Sequence, residues 1–171
     1  EAFDKVARAL DLGYPGGPQI QKTAVSGDSE AYPLPRAMLE AGSLDFSFSG
    51  LKSAVLNTLN TAKMKGQSVN IPDMAASFQS AVIDVLVLKT LRALDKLPQI
   101  QTLALAGGVA ANSLLRETLA RELKEKGVRL AYPSSRLCTD NGAMVAMAGY
   151  YHYIEKKYAS WKLNAVPGLS L

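Results

Sequence analysis

Gln101-Thr102-Leu103-Ala104-Leu105-Ala106-Gly107-Gly108-Val109-Ala110-Ala111-Asn112 runs from a short apolar stretch into two adjacent glycines. It leads straight into Ser113-Leu114-Leu115-Arg116, where an amphipathic pattern begins. An apolar run this short suits a strand, and the pattern after it has helical spacing. Residues 101–106 therefore read as a strand and residues 111–126 as a helix closed by Gly127. Residues 128–132 form a second apolar run, and residues 140–158 a last helix, rich in Ala, Met and Tyr. Strand, helix, strand, helix is an α/β unit. A right-handed crossover makes the two strands parallel and places any ligand at their C-terminal ends. Two strands are few for the helices around them, so the sheet reads as incomplete.

Working upstream, Met74, Phe78, Ala81, Val85 and Leu88 follow helical spacing across 72–97, and the middle of that segment is apolar nearly all round. Pro72 suits a first turn and Pro98 a stop, which predicts a central buried helix. Ser49 or Gly50 starts another helix, to Lys65, ended by Gly66. Leu44, Phe46 and Phe48 alternate with Ser and Asp, which predicts a short strand or an extended lead-in. Residues 22–36 read as irregular surface. The stretch Gly13-Tyr14-Pro15-Gly16-Gly17-Pro18 reads as a tight turn or rigid loop. Phe3, Val6, Ala7 and Leu10 share one face of an opening helix that no capping residue precedes. A helix met mid-pattern at Glu1 leads to the expectation of a cut chain. Residues 159–171 read as a loose tail.

Composition narrows the class. With 171 residues, 48% apolar and 20% charged, the chain is long enough for one core and too apolar for disorder. The apolar stretch near residues 82–88, with Asp84 inside it and Lys89 after it, falls far short of the roughly 20 residues of a membrane span. One cysteine, Cys138, rules out an internal disulfide framework and a Cys-rich zinc module, and fits a reducing compartment. Nineteen Lys and Arg against fifteen Asp and Glu give +4, which permits an RNA partner without requiring one. These cations, Arg116 among them, are scattered and read as a solvated surface.

Two loops could carry chemistry. At Gly107-Gly108 a sharp turn lets a flat ligand approach backbone without meeting a Cβ, and the following helix end favours an anion. Asn112 there is either a ligand contact or a helix cap. After the second strand, Cys138-Thr139-Asp140-Asn141-Gly142-Ala143 repeats the arrangement. Asp140 is either an N-cap or an oxygen ligand for a cation. Asp4 by default satisfies its own helix dipole, and Gly16-Gly17 by default makes a turn. His152, the lone histidine, reads as structural, and Cys138 as a small buried hydrophobe.

Five motifs, in this order, resemble one family. They are Glu1–Ala7, Tyr14-Pro15-Gly16-Gly17-Pro18, Asp45-Phe46-Ser47-Phe48-Ser49-Gly50-Leu51-Lys52, Gly107–Asn112 and Cys138–Ala143. The family is the TsaD-type tRNA N6-adenosine threonylcarbamoyltransferases, long called glycoproteases. The resemblance implies an actin/Hsp70-like ATPase (ribonuclease H-like) fold. Residues 1–158 would be the helix-rich C-terminal lobe, and residues 159–171 a tail. It implies transfer of threonylcarbamoyl from threonylcarbamoyl-AMP to the N6 amine of the adenosine 3′ of the anticodon, in tRNAs reading A-starting codons. Asp4, Gly17 and Asn112 resemble contacts to that adenylate, and Asp140 the carboxylate ligand of a divalent metal, iron or zinc. Partners implied are tRNA, a TsaD-like paralogue (TsaB) and the ATPase TsaE, in the cytoplasm and without a membrane.

The chain departs from the pattern in two places. Gln21 stands where some members carry Asp, so that contact is not carried over. The HxxxH motif that supplies the family's other metal ligands is not in these residues, and His152 does not match it. The expectation is a chain inactive alone, binding metal and adenylate weakly and self-associating through an open sheet edge or a helical face. The alternatives are an O-carbamoyltransferase of the same fold and a non-catalytic ATPase-like scaffold. A protease is excluded by the lack of HExxH and of a Ser/His/Asp set.

Overall fold

In a computed structural model, residues 1–37 and 42–168 are described. The path is α1 (Ala2–Ala9), α2 (Gly16–Ala24), α3 (Ser49–Met64), α4 (Ile71–Lys96), β1 (Thr102–Ala104), a 3₁₀ turn (Gly108–Ala111), α5 (Ser113–Glu125), β2 (Arg129–Ala131), a second 3₁₀ turn (Ser135–Leu137) and α6 (Gly142–Ile154). The strands pair in parallel, Thr102 opposite Arg129 and Ala104 opposite Ala131. Helix α5 makes the crossover between them. Both strand C-terminal ends thus face one side, where the loops that follow the two strands emerge.

Helix α4 is the axis. The Asn70 side chain accepts the Asp73 N–H at 3.2 Å and Pro72 lies in the first turn, so its start is fixed locally. Its first half packs in one core with Phe3, Val6, Ile20, Leu51 and Val55, where the rings of Phe3 and Phe78 meet edge-on at 5.2 Å. Its second half, through Ile83, Val87 and Leu94, packs in another with Leu115, Leu119 and Leu123 of α5 and with Leu103 and Leu130 of the sheet. By length and composition α4 could cross a membrane, but 61% of its most apolar window is buried inside this structure, as befits a core helix. Lys89, 1% exposed, is held inside by carbonyls, donating to Ser43 O at 3.4 Å and to Asp45 O.

Several expectations are corrected. Residues 13–18 are not all loop: α2 begins at Gly16 and takes in residues 22–24, which had read as irregular. Gly16, Gly17 and Pro18 are tolerated because a first turn needs no intrahelical N–H donors. Residues 44–48 form no strand and lead irregularly into α3, Phe48 standing at φ −118° and ψ 3°. The strands are three residues each, shorter than the apolar runs that announced them. Helix α6 starts at Gly142 and ends at Ile154, inside the expected 140–158, and none of its residues is buried. Residues 159–168 carry no helix or strand, while 169–171 lie outside the described residues.

Candidate functional site

The N-terminus of α2 is built by α1. Asp4 Oδ1 accepts the Gly16 N–H at 2.7 Å, so this carboxylate serves a second helix as well as its own first turn. The approach is close. A Cβ on Gly16 would stand 2.5 Å from Asp4 Cα and 2.6 Å from Phe3 O. On Gly17 it would meet nothing within 4 Å, so Gly17 presents open backbone.

One turn along α2, Gln21 lies on the same face as Gly17. Its Oε1 accepts the Ser113 N–H at 3.0 Å, which seats the start of α5 against α2. Asn112, 7% exposed, is the cap of α5: its Oδ1 accepts the Leu115 N–H at 3.1 Å. Its Nδ2 donates to Gln79 Oε1 of α4 at 2.8 Å. Gly107, at φ +85°, turns the chain between β1 and this cap, and Gly108 beside it has open space where a Cβ would stand. Asp4 thus bonds to the start of α2 at Gly16, and Gln21, one turn beyond Gly17, bonds to Ser113 beside Asn112, with open space where a Cβ would stand at Gly17 and at Gly108.

Asp140 sits on the loop after β2. It is not the cap that one reading of the sequence made it. Asn141 caps α6, accepting the Met144 N–H at 3.1 Å and donating to Thr139 O at 2.8 Å. The Asp140 side chain is exposed, and among the described residues it has no hydrogen-bond or ion-pair partner. Its loop is tied to the Asn112 loop by Arg116. That guanidinium donates to Ala110 O, to Pro133 O at 3.1 Å and to Cys138 Sγ at 3.2 Å. It also lies 4.3 Å from the Tyr132 ring centre. Arg116 is thus half-buried between two loops, which corrects its reading as a solvated surface cation. Cys138 is buried as expected, and His152 is exposed on α6.

Gln79, Gln21 and Arg116 were missed as site residues. Gln79 did carry a signal, a polar side chain inside the most apolar part of α4. Gln21 stood out only as a departure from the family pattern and Arg116 not at all, because their partners lie 92 and up to 22 residues away. Among the described residues no three His, Cys, Asp or Glu side chains gather to hold a metal. A lone exposed carboxylate does not fit a metal centre, which takes four or more donors.

A sequence model of the TsaD family, described as tRNA N6-adenosine threonylcarbamoyltransferase, matches residues 1–147. The chain belongs to the TsaD family. Three relatives carry that same description as their name. The protein of Desulfitobacterium hafniense (strain Y51) is 65% identical over all 171 residues, that of Clostridium botulinum (strain 657) 55%, and that of Moorella thermoacetica 54%. The whole of this chain aligns with 50% of each relative, so it spans about half their length. TsaD proteins have an actin-like ATPase fold, and the helix-rich α/β arrangement with a parallel pair of strands accords with it.

Proposed function

We propose that this chain is the C-terminal lobe, residues 1–158, of an enzyme that moves a threonylcarbamoyl group from threonylcarbamoyl-AMP onto the N6 amine of the adenosine 3′ of the tRNA anticodon. The observation that carries the reading is the backbone left open at Gly17 and Gly108, on the elements that the Asp4–Gly16, Gln21–Ser113 and Asn112–Gln79 hydrogen bonds hold. A planar, anionic adenylate needs such a surface, without Cβ atoms and near helix N-termini. Asp4 already holds the α2 turn that presents Gly17. Asn112 fixes the α5 turn, and one of its amide hydrogens remains for a ligand.

Asp140 would offer one oxygen to a divalent metal, iron or zinc, with its other donors coming from the half of the family's length that this chain does not span. Because Asp140 alone does not make a site, this chain by itself would hold neither metal nor adenylate tightly. On this reading the enzyme would act on tRNA in the cytoplasm, with a TsaB-like paralogue and the ATPase TsaE as partners.

The test is product analysis. The protein, completed to the family length and given its partner subunits, threonylcarbamoyl-AMP and unmodified tRNA, should yield threonylcarbamoyladenosine in digested tRNA by mass spectrometry. Asp140→Asn should lower that yield at least about 100-fold, the usual scale for an electrostatic contact at the reacting centre. A carbamoylated small molecule in place of modified tRNA would favour the O-carbamoyltransferase. Full activity in Asp140→Asn would remove the carboxylate from the reading and favour a scaffold role for this lobe.

A further inference from the structure

Arg116 ties together the two loops that leave the sheet, and nothing in the proposed chemistry uses it. It rises from the first turn of α5, four residues after the cap Asn112. Its Nε donates back to Ala110 O, in the 3₁₀ turn that carries the chain from Gly108 to Asn112. Its Nη2 reaches across to Pro133 O at 3.1 Å and Cys138 Sγ at 3.2 Å, on the loop that leads to Asp140. The Tyr132 ring supports the guanidinium from below at 4.3 Å. Its acceptors among the described residues are all neutral, so none of them makes an ion pair with it. What it joins are two loops that the short sheet leaves otherwise unlinked, since the strand pairing ends at Ala104 and Ala131 and one further bond, Leu105 N–H to Ala131 O at 2.8 Å.

We infer that Arg116 is a positioning residue that locks the loop after β1 to the loop after β2, so that Asn112 and Asp140 are presented in one fixed register. The inference rests on the proposed adenylate and metal roles of those two residues. A planar guanidinium suits the task because it donates along several directions at once, where a lysine ammonium would reach one loop or the other. The Asp4–Gly16, Asn112–Leu115 and Asn112–Gln79 bonds are made without the Arg116 side chain. Ground-state binding of the adenylate should therefore survive its loss, while the relative placement of the two loops should not.

The test compares Arg116→Met, Arg116→Lys and Arg116→Ala with the unsubstituted protein, completed to the family length and with its partner subunits. Two readouts are used, transfer kinetics and amide hydrogen exchange. For Arg116→Met, adenylate affinity should change less than about threefold while turnover falls about 100-fold, the loss a displacement near 1 Å can cause. Amides of 109–112 and of 134–141 should gain exchange together. Added guanidinium ion should restore part of the turnover of Arg116→Ala. Should Arg116→Met fail to fold, Arg116→Lys and the guanidinium-rescued Arg116→Ala decide the matter, and no rescue overturns the inference. Unchanged turnover, a parallel loss of affinity and turnover without rescue, or faster exchange in only one loop also overturns it. If the unsubstituted protein modifies no tRNA, the functional reading fails by itself, and the paired exchange response alone decides whether Arg116 locks the loops.

Discussion

Replacing Gly16 and, separately, Gly17 with alanine should give opposite results at adjacent positions. A Cβ on Gly16 would stand 2.5 Å from Asp4 Cα, 2.6 Å from Phe3 O and 2.8 Å from Asp4 N, all backbone atoms of a packed helix. Helices α1 and α2 must separate to admit it. Overpacking of that kind costs about 1–3 kcal/mol. The separation also stretches the 2.7 Å bond from Gly16 N–H to the Asp4 carboxylate, one of a class worth about 1.5–3 kcal/mol. Against these stands a gain of at most about 1 kcal/mol from replacing a helical glycine. The net, with that gain taken in full, is a loss of about 1.5–5 kcal/mol, a large share of an ordinary domain's 5–15 kcal/mol, roughly. Gly17→Ala meets open space and should be neutral or up to about 1 kcal/mol stabilising. Urea unfolding followed by circular dichroism reads both variants, and a slope common to both keeps the comparison valid. A Gly16→Ala midpoint equal to wild type, or the two alanines shifting alike, would refute the account of the α1–α2 contact.

Asn112→Ala removes a helix cap worth about 1 kcal/mol and strips a buried partner from Gln79, a further loss of about 1–3 kcal/mol. Its urea midpoint should fall accordingly, while Gln79→Ala combined with it should cost less than the sum of the two, in a double-mutant cycle. Helix α6 leaves Met144, Val145, Met147, Tyr150, Tyr153 and Ile154 between 49% and 66% exposed, more apolar surface along one element than soluble monomers usually leave bare. The isolated chain should associate with a second copy over that helix, so light scattering across a dilution series should show dimer giving way to monomer. Val145→Lys with Tyr153→Lys should leave only monomer, and a wild-type chain monomeric throughout would refute it.

Local patterns in the sequence accounted for much of this protein. The Gly107-Gly108 junction announced a strand-to-helix turn, and the structure puts Gly107 at the left-handed φ that such a turn needs. Pro72, the apolar spacing of 72–97 and the glycines at 66 and 127 set helix limits that the structure keeps within a residue or two, since these signals act within one turn of chain. The ordered motifs were legible for the same reason, each being a short run of neighbours. Asn112 as a cap was legible too, because its acceptor role spans three residues.

What neighbours could not reveal was which of two like residues meets what. Gly16 and Gly17 look the same in the sequence, yet only the packing of α1 makes one obligatory and leaves the other open. Asp140 read as the cap of α6, yet the backbone path after β2 gave the task to its neighbour Asn141. The start of α2 was hidden because the Asp4 carboxylate that steadies it comes from another helix, twelve residues back. Gln79, Gln21 and Arg116 acquired their roles from partners 33, 92 and 22 residues distant. Secondary structure follows from sterics and hydrogen bonds between neighbours in the chain. The site depends on side chains that become neighbours only after α4 has gathered α1, α2 and α5 around it.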